Sequence, residues 1–253
     1  MLINAWLDAL RTNLGRSNSR RRRNLELQTL LESLEDRTVL SASTFLIGGQ
    51  LVVNSDGADD ITIRTNPQNT SLAQVLINGA VDTSVGSVSA ATIQGIQVRG
   101  GDGNNVINLS GVNSLSFPSL TSVRVEGGEG NDLILGDGGR DTLRGEGGDD
   151  TLVGGTEDDE LRGDDGDDVI TGDAGADFIL GGLGNDNIAG GDGIDFIRGQ
   201  EGNDTLAGDD GNDNVAGSTG NDVLTGGLGD DALDGGDGND SITAGGGNDF
   251  VLG

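Results

Sequence analysis

The chain is 253 residues long, enough for one or two domains, and sets 43 acidic against 14 basic side chains for a formal net charge of −29. Such acidity repels nucleic acid, and no apolar run approaches the roughly eighteen residues of a membrane span, so neither nucleic acid nor transmembrane insertion is expected. With no His, Cys, Lys or Tyr the chain lacks the usual groups of hydrolytic catalysis and any disulfide, which points away from an enzyme.

Residues 1–43 form a basic, amphipathic leader with seven arginines against five acids. Leu2, Ile3, Trp6, Leu7 and Leu10 share one helical face, and Leu27, Leu30, Leu31 and Leu34 share another after the run Arg20 to Arg23, predicting two short helices. The other reading of the leader is targeting, with Leu40-Ser41-Ala42-Ser43 as a processing point, although the apolar core of an ordinary signal peptide is missing. The segment LESLEDRTVLSA, Leu31 to Ala42, resembles the LEPR-XLL-type N-terminal motif of large bacterial surface and exported proteins, and that resemblance implies export.

Residues 44–126 read as a β-rich segment. Strands are predicted at Thr44–Ile47 and Gln50–Val53, as a hairpin across Gly48-Gly49, and at Asp60–Arg64, Gln74–Ile77 and Gly95–Arg99. Two imperfect nine-residue phrases sit here: NSDGADDIT, with Asp59 and Ile61, and GGDGNNVIN, with Asn105 where an acid would stand. They are expected to be worn repeats within a cap over the open end of a repeat array that starts at Gly127, and the Ser/Leu-rich stretch Gly111–Thr121, with Pro118, is expected to be the join.

Residues 127–253 carry the dominant signal: one nine-residue phrase written fourteen times without a gap from Gly127 to Leu252, from GGEGNDLIL to AGGGNDFVL. The sixth place is always Asp and the eighth always Ile, Leu or Val; the first and fourth are Gly except at Ala244 and Glu157. The second-place Gly is kept in seven units. Such fidelity predicts a solenoid, because a unit with one apolar residue can bury it only against its neighbours. Places seven to nine are expected to form a short strand with the eighth side chain inward, and G-x-x-G-x-D a turn, since Gly enters positive φ freely. Two units then complete an eighteen-residue coil, giving a flattened roll of two sheets with its turns in two stacks.

One stack collects Asp132, Asp150, Asp168, Asp186, Asp204, Asp222 and Asp240; the other collects Asp141, Asp159, Asp177, Asp195, Asp213, Asp231 and Asp249. Successive carboxylates would lie roughly 4.8 Å apart. The array holds 32 acids and 4 arginines, a net −28, and that much like charge opposes compaction unless a cation is part of the fold. Oxygen ligands without His or Cys suit a hard divalent ion, and a flexible oxygen cage favours calcium over magnesium. With one ion between each turn and the turn one coil later, fourteen turns offer up to 12 sites, and twelve calcium ions would bring the array near −4.

The array closely resembles the RTX, or haemolysin-type, calcium-binding repeat G-G-x-G-x-D-x-U-x. The resemblance implies an all-β fold, a right-handed parallel β-roll in which the Asp carboxylate and the carbonyls of the Gly-rich turn bind calcium. The implied ligand set adds to the fourteen Asp residues the first- and fourth-place glycines Gly127, Gly130, Gly145, Gly148, Gly163, Gly166, Gly181, Gly184, Gly199, Gly202, Gly217, Gly220, Gly235 and Gly238. Sites touching residues 154–162, where Glu157 replaces Gly, are expected to be the weakest. The resemblance also implies secretion from a bacterium. The expected function is calcium binding that folds an extracellular or cell-surface structural and interaction module, with surface polysaccharide or other surface proteins as partners. The alternatives are the export half of a larger toxin or enzyme, and a calcium-dependent polysaccharide-binding accessory.

Overall fold

The computed structural model describes residues 42–253 except Val85, so the leader as far as Ser41, including its arginine run and most of the Leu31–Ala42 motif, lies outside the described residues. The described residues from 42 to 253 form one compact unit. It is an all-β parallel solenoid, and among the described residues the only helix is a 3-10 turn at Ala90–Thr92.

The N-terminal strands are β1 (Ser43–Ile47), β2 (Gln50–Asn54), β3 (Asp60–Asn66), β4 (Asn69–Ile77), β5 (Ala80–Val81), β6 (Val88–Ser89), β7 (Gly95–Asp102), β8 (Val106–Asn108) and β9 (Ser122–Glu129). The array continues with β10 (Leu133–Leu135), β11 (Asp141–Gly147), β12 (Thr151–Thr156) and one strand per unit as far as β22 (Ser241–Gly246) and β23 (Phe250–Leu252). Two sheets result. The eleven-stranded one runs β1-β2-β7-β9-β11 and then every second strand to β23; the twelve-stranded one runs β5-β4-β3-β8-β10-β12 and then every second strand to β22, with β6 on β4. The predicted hairpin across Gly48-Gly49 is present, with Ile47 opposite Gln50. The β3–β4 hairpin turns at Pro67 and Gln68, and its strands run longer than the predicted Asp60–Arg64 and Gln74–Ile77.

Register obeys the repeat. Leu143, Leu161, Ile179, Ile197, Val215 and Leu233 form one parallel ladder; Ile134, Leu152, Ile170, Ile188, Leu206 and Leu224 form the other. These eighth-place side chains are buried, as the period predicts. Strands are longer than the three residues expected: from β12 to β22 each runs six residues, from place seven of one unit through place three of the next. The ladder survives because the second-place residue turns into the left-handed region while still pairing, as Glu146 (φ 80°) does with Gly128 and Asp164. Only places four to six remain for the turn. Along the strand the eighth place points in, the ninth out and the first in again, so each first-place Gly faces the interior.

The pairing of β7 with β9 and of β8 with β10 carries both sheets without a break into the array. These pairs are 27 residues apart rather than 18, because Leu109–Thr121 makes an excursion from one coil. Leu109, Val112 and Phe117 in that excursion are wholly buried in the same core as the array. Val112 and Phe117 of the Ser/Leu-rich stretch thus pack into the core while Leu115 stays exposed; a lone Phe among Ser and Leu gives no periodicity from which its burial could be read.

Candidate metal centre

The two predicted Asp stacks are brought together, and a specific hydrogen bond sets their geometry. The backbone N–H of each column Asp donates to Oδ1 of the Asp eighteen residues later. In the first column Asp132, Asp150, Asp168, Asp186, Asp204 and Asp222 donate in turn over 2.7–2.9 Å. In the second Asp141, Asp159, Asp177, Asp195, Asp213 and Asp231 do so over 2.8–3.1 Å, ending on Asp249. Oδ1 thus satisfies a buried donor of the neighbouring coil, and the column is stitched through its own side chains.

Oδ2 has no such role. On Asp132, Asp150, Asp159, Asp168, Asp177, Asp186, Asp195, Asp204, Asp213, Asp222 and Asp231 it is buried with no hydrogen-bond partner, and Asp141 has the same deficit at Oδ1. A buried, partnerless anionic oxygen is among the most costly features a fold can carry. Burial accordingly pushes the carboxyls upward: Asp132, Asp168, Asp186, Asp195 and Asp204 to about 6, Asp150 and Asp159 to about 7, Asp141 to about 8. Hydrogen bonding at the backbone pulls the other way without overcoming it, and neighbouring acids add to the rise.

The glycines are required by this packing. A Cβ on first-place Gly127, Gly145, Gly163, Gly181, Gly199, Gly217 or Gly235 would overlap Oδ2 of the Asp five residues later. A Cβ on fourth-place Gly148, Gly166, Gly184, Gly202, Gly220 or Gly238 would overlap the carbonyl oxygen of the fourth-place Gly one coil earlier, and a Cβ on Gly130 would overlap Gly103. Twelve turns, from that of Asp132 to that of Asp231, therefore present a carboxylate oxygen without a partner beside closely stacked turn backbone. That donor set, oxygen only, fits a hard divalent cation.

Fifth-place residues of the first stack form an exposed ladder, also set by the period, to which the sequence analysis assigned no role. Asn239, Asn221, Asn203 and Asn185 each donate Nδ2 to Oδ1 of the residue one coil earlier, over 3.0–3.1 Å, down to Asp167. The worn repeats lie in register with the first column: Asn105 donates its N–H to Oδ1 of Asp132 at 2.7 Å and accepts that of Asp59 at 2.9 Å.

A sequence profile for the RTX calcium-binding nonapeptide repeat, four copies long, matches residues 126–161, 153–188, 180–215, 189–224 and 216–251. No curated protein sequence matches the chain.

Proposed function

From the membership of residues 126–251 in the RTX calcium-binding nonapeptide repeat family, we propose that calcium bound along the two Asp columns folds this chain on export into an extracellular or cell-surface structural and interaction module. Calcium binding itself is the property of the repeats; the ion count, the ligand set and the setting are our own reading. The buried, partnerless carboxylate oxygen repeated through both columns carries it. The fourteen Asp residues supply the charge, and the first- and fourth-place glycines supply close backbone with room for an ion.

Bound calcium supplies positive charge at the carboxylates and ties one coil to the next. The chain's own part is to arrange Oδ1 as an acceptor for the neighbouring coil and leave Oδ2 for the ion. With up to about 12 ions the array approaches neutrality. A chain whose core is one aliphatic residue per nine is then unfolded where calcium is scarce and folded where weak extracellular sites, of roughly 10⁻⁴ to 10⁻³ M affinity, are filled. The role is non-catalytic, and among the described residues no helix is long and apolar enough to cross a membrane.

The outer face of the eleven-stranded sheet favours a surface ligand as partner. Phe178 and Phe196 stack there at 5.2 Å with Arg198 over the Phe196 ring and Arg162 over Phe178. Aromatic rings flanked by arginines suit an acidic polysaccharide, or a surface protein, better than the acidic turns do. Cell fractionation with and without a chelator tests the setting: release from the surface by chelation supports an adhesive role, whereas protein that stays intracellular in calcium-replete medium contradicts export. A calcium-dependent pull-down with an acidic polysaccharide distinguishes the ligand.

A further inference from the structure

The two Asp columns begin differently, and the difference points to a cation site that the nine-residue pattern does not contain. Above Asp132 the first column continues into a neutral amide and then a hydrogen-bonded acid. Asn105 donates its backbone N–H to Asp132, its Nδ2 donates to the carbonyl of Gly103 at 2.7 Å, and Asp59 beyond it accepts from Nδ2 of Asn78 at 2.6 Å and from the Ser55 hydroxyl. Amide and hydroxyl donors close that end.

The second column has no such closure. Asp141 pairs in register with Val123, so no Asp lies one coil earlier to donate to its Oδ1. Its turn departs from the others: Asp137, in the second place, donates its backbone N–H to Oδ2 of Asp141 at 2.7 Å and accepts the N–H of Gly139 on its own Oδ1 at 2.5 Å. Gly139 lacks the positive φ that fourth-place glycines such as Gly148 and Gly166 adopt. Two oxygens are left over, Oδ2 of Asp137 and Oδ1 of Asp141, both buried and without a partner on side chains only 7 % and 3 % exposed. The Arg140 guanidinium of this turn is engaged with Asp158 and largely exposed. Glu157, in the turn one coil on, lines the same cavity of about 210 Å³ as Asp137, Gly139 and Arg140, as do Asn113 and Ser114 of the excursion.

We propose that Asp137 and Asp141 together hold a calcium ion of their own at the head of the second column, one ion beyond those lying between successive coils. Asp137 takes the place of the Asp that the preceding coil lacks: it supplies the second carboxylate and, through its N–H, fixes the orientation of the first. Glu157 lines the same cavity and its charge acts on Asp137, so the unit that breaks the repeat pattern contributes here. Two anionic carboxylates buried side by side need either a cation or a shared proton, and the oxygen-only surroundings select a hard divalent ion at neutral pH.

This inference rests on the calcium-binding reading of the columns, and the test separates the two. Native mass spectrometry of the full chain, titrated with calcium, counts ions per chain in the wild type, in Asp137→Asn and in Asp137→Gly. Asn keeps both the backbone N–H and the Oδ1 acceptor for Gly139; Gly is the residue seven other units carry in this place. Both variants are expected to saturate one ion short of the wild type, and calcium-induced protection of the Gly139 amide from hydrogen exchange is expected to be lost in Asp137→Asn. An unchanged ion count in Asp137→Asn with wild-type protection at Gly139 overturns the site and leaves the column reading standing, since a shared proton or a purely structural Asp137 would give that result. A wild type that takes up no calcium overturns both.

Discussion

Asp186 and Asp204 meet across one coil of the roll: the backbone N–H of Asp186 donates to Oδ1 of Asp204 at 2.9 Å, while Oδ2 of each carboxylate is buried without a partner. One oxygen of the side chain therefore builds the protein, and in the proposed reading the other is left for an ion. In that reading fold and metal are coupled through a single residue type, and substitution along the columns separates the two duties.

Asp186→Ala removes a mid-column carboxylate and leaves the buried N–H of Asp168 without its acceptor. The lost acceptor alone is worth about 1–3 kcal/mol. Asp249 is half-buried and receives one bond, from Asp231, so Asp249→Ala should disturb only the last coil. Calcium titrations monitored by circular dichroism should show a clear loss of cooperativity for Asp186→Ala and little for Asp249→Ala; equal loss contradicts the stacked arrangement.

Glycine substitutions divide by place. Gly181→Ala drives a methyl group into Oδ2 of Asp186, and Gly184→Ala drives one into the carbonyl of Gly166, so both should lower calcium affinity and stability. Gln200 occupies the left-handed region at φ 88°, where a side chain costs roughly 1–2 kcal/mol. Gln200→Gly should therefore raise the melting temperature of the calcium-loaded protein. Thermal unfolding of the three variants checks the order.

Ile188 is buried in the centre of one ladder, and Ile188→Ala should cost about 2–5 kcal/mol. Val169, at place seven of the same sheet, is 44 % exposed, and Val169→Ala should stay within about 0.5 kcal/mol. Denaturant unfolding in saturating calcium measures both; similar costs would mean that the inward register is wrong.

Acidity should mimic the ion in part. The column carboxyls have their pKa raised in the metal-free fold from 3.8 to about 6 for Asp186, about 7 for Asp150 and about 8 for Asp141. A group whose pKa is raised by folding favours the folded state most when the pH lies below its unfolded value, and that contribution is lost as the pH rises through the folded value. The metal-free chain should thus be most compact near pH 4 and lose strand signal progressively toward pH 8. Calcium, which needs the ionised carboxylate, should bind more weakly as the pH falls from 8 toward 4 and release protons on binding near pH 6. Circular dichroism in chelated buffer tests the first expectation, and pH-stat titration with calcium tests the second.

Much of the molecule was legible because nine-residue spacing forces it. Asp186 and Ile188 recur at fixed places, so their stacking, the inward eighth side chain and the two turn columns come from the period alone. The six-residue strands were not legible: they depend on residues such as Glu146 and Gln200 holding a left-handed conformation that glycine is normally expected to supply. The burial of Phe117 was also hidden, since it arises from an excursion that no pattern marks. Asp137 passed unnoticed for a related reason. Among the array's many acids a second-place Asp looks like solvated surface charge, and its role shows only where the coil before Asp141 offers Val123 in place of an Asp.

If bound calcium supplies the cationic half of the core, far-UV circular dichroism of the full chain at neutral pH should reveal it most directly. In chelated buffer the expected spectrum is that of an unfolded chain, converting to strand signal as calcium rises to roughly millimolar levels. An identical strand spectrum with and without calcium would contradict that coupling of metal to fold.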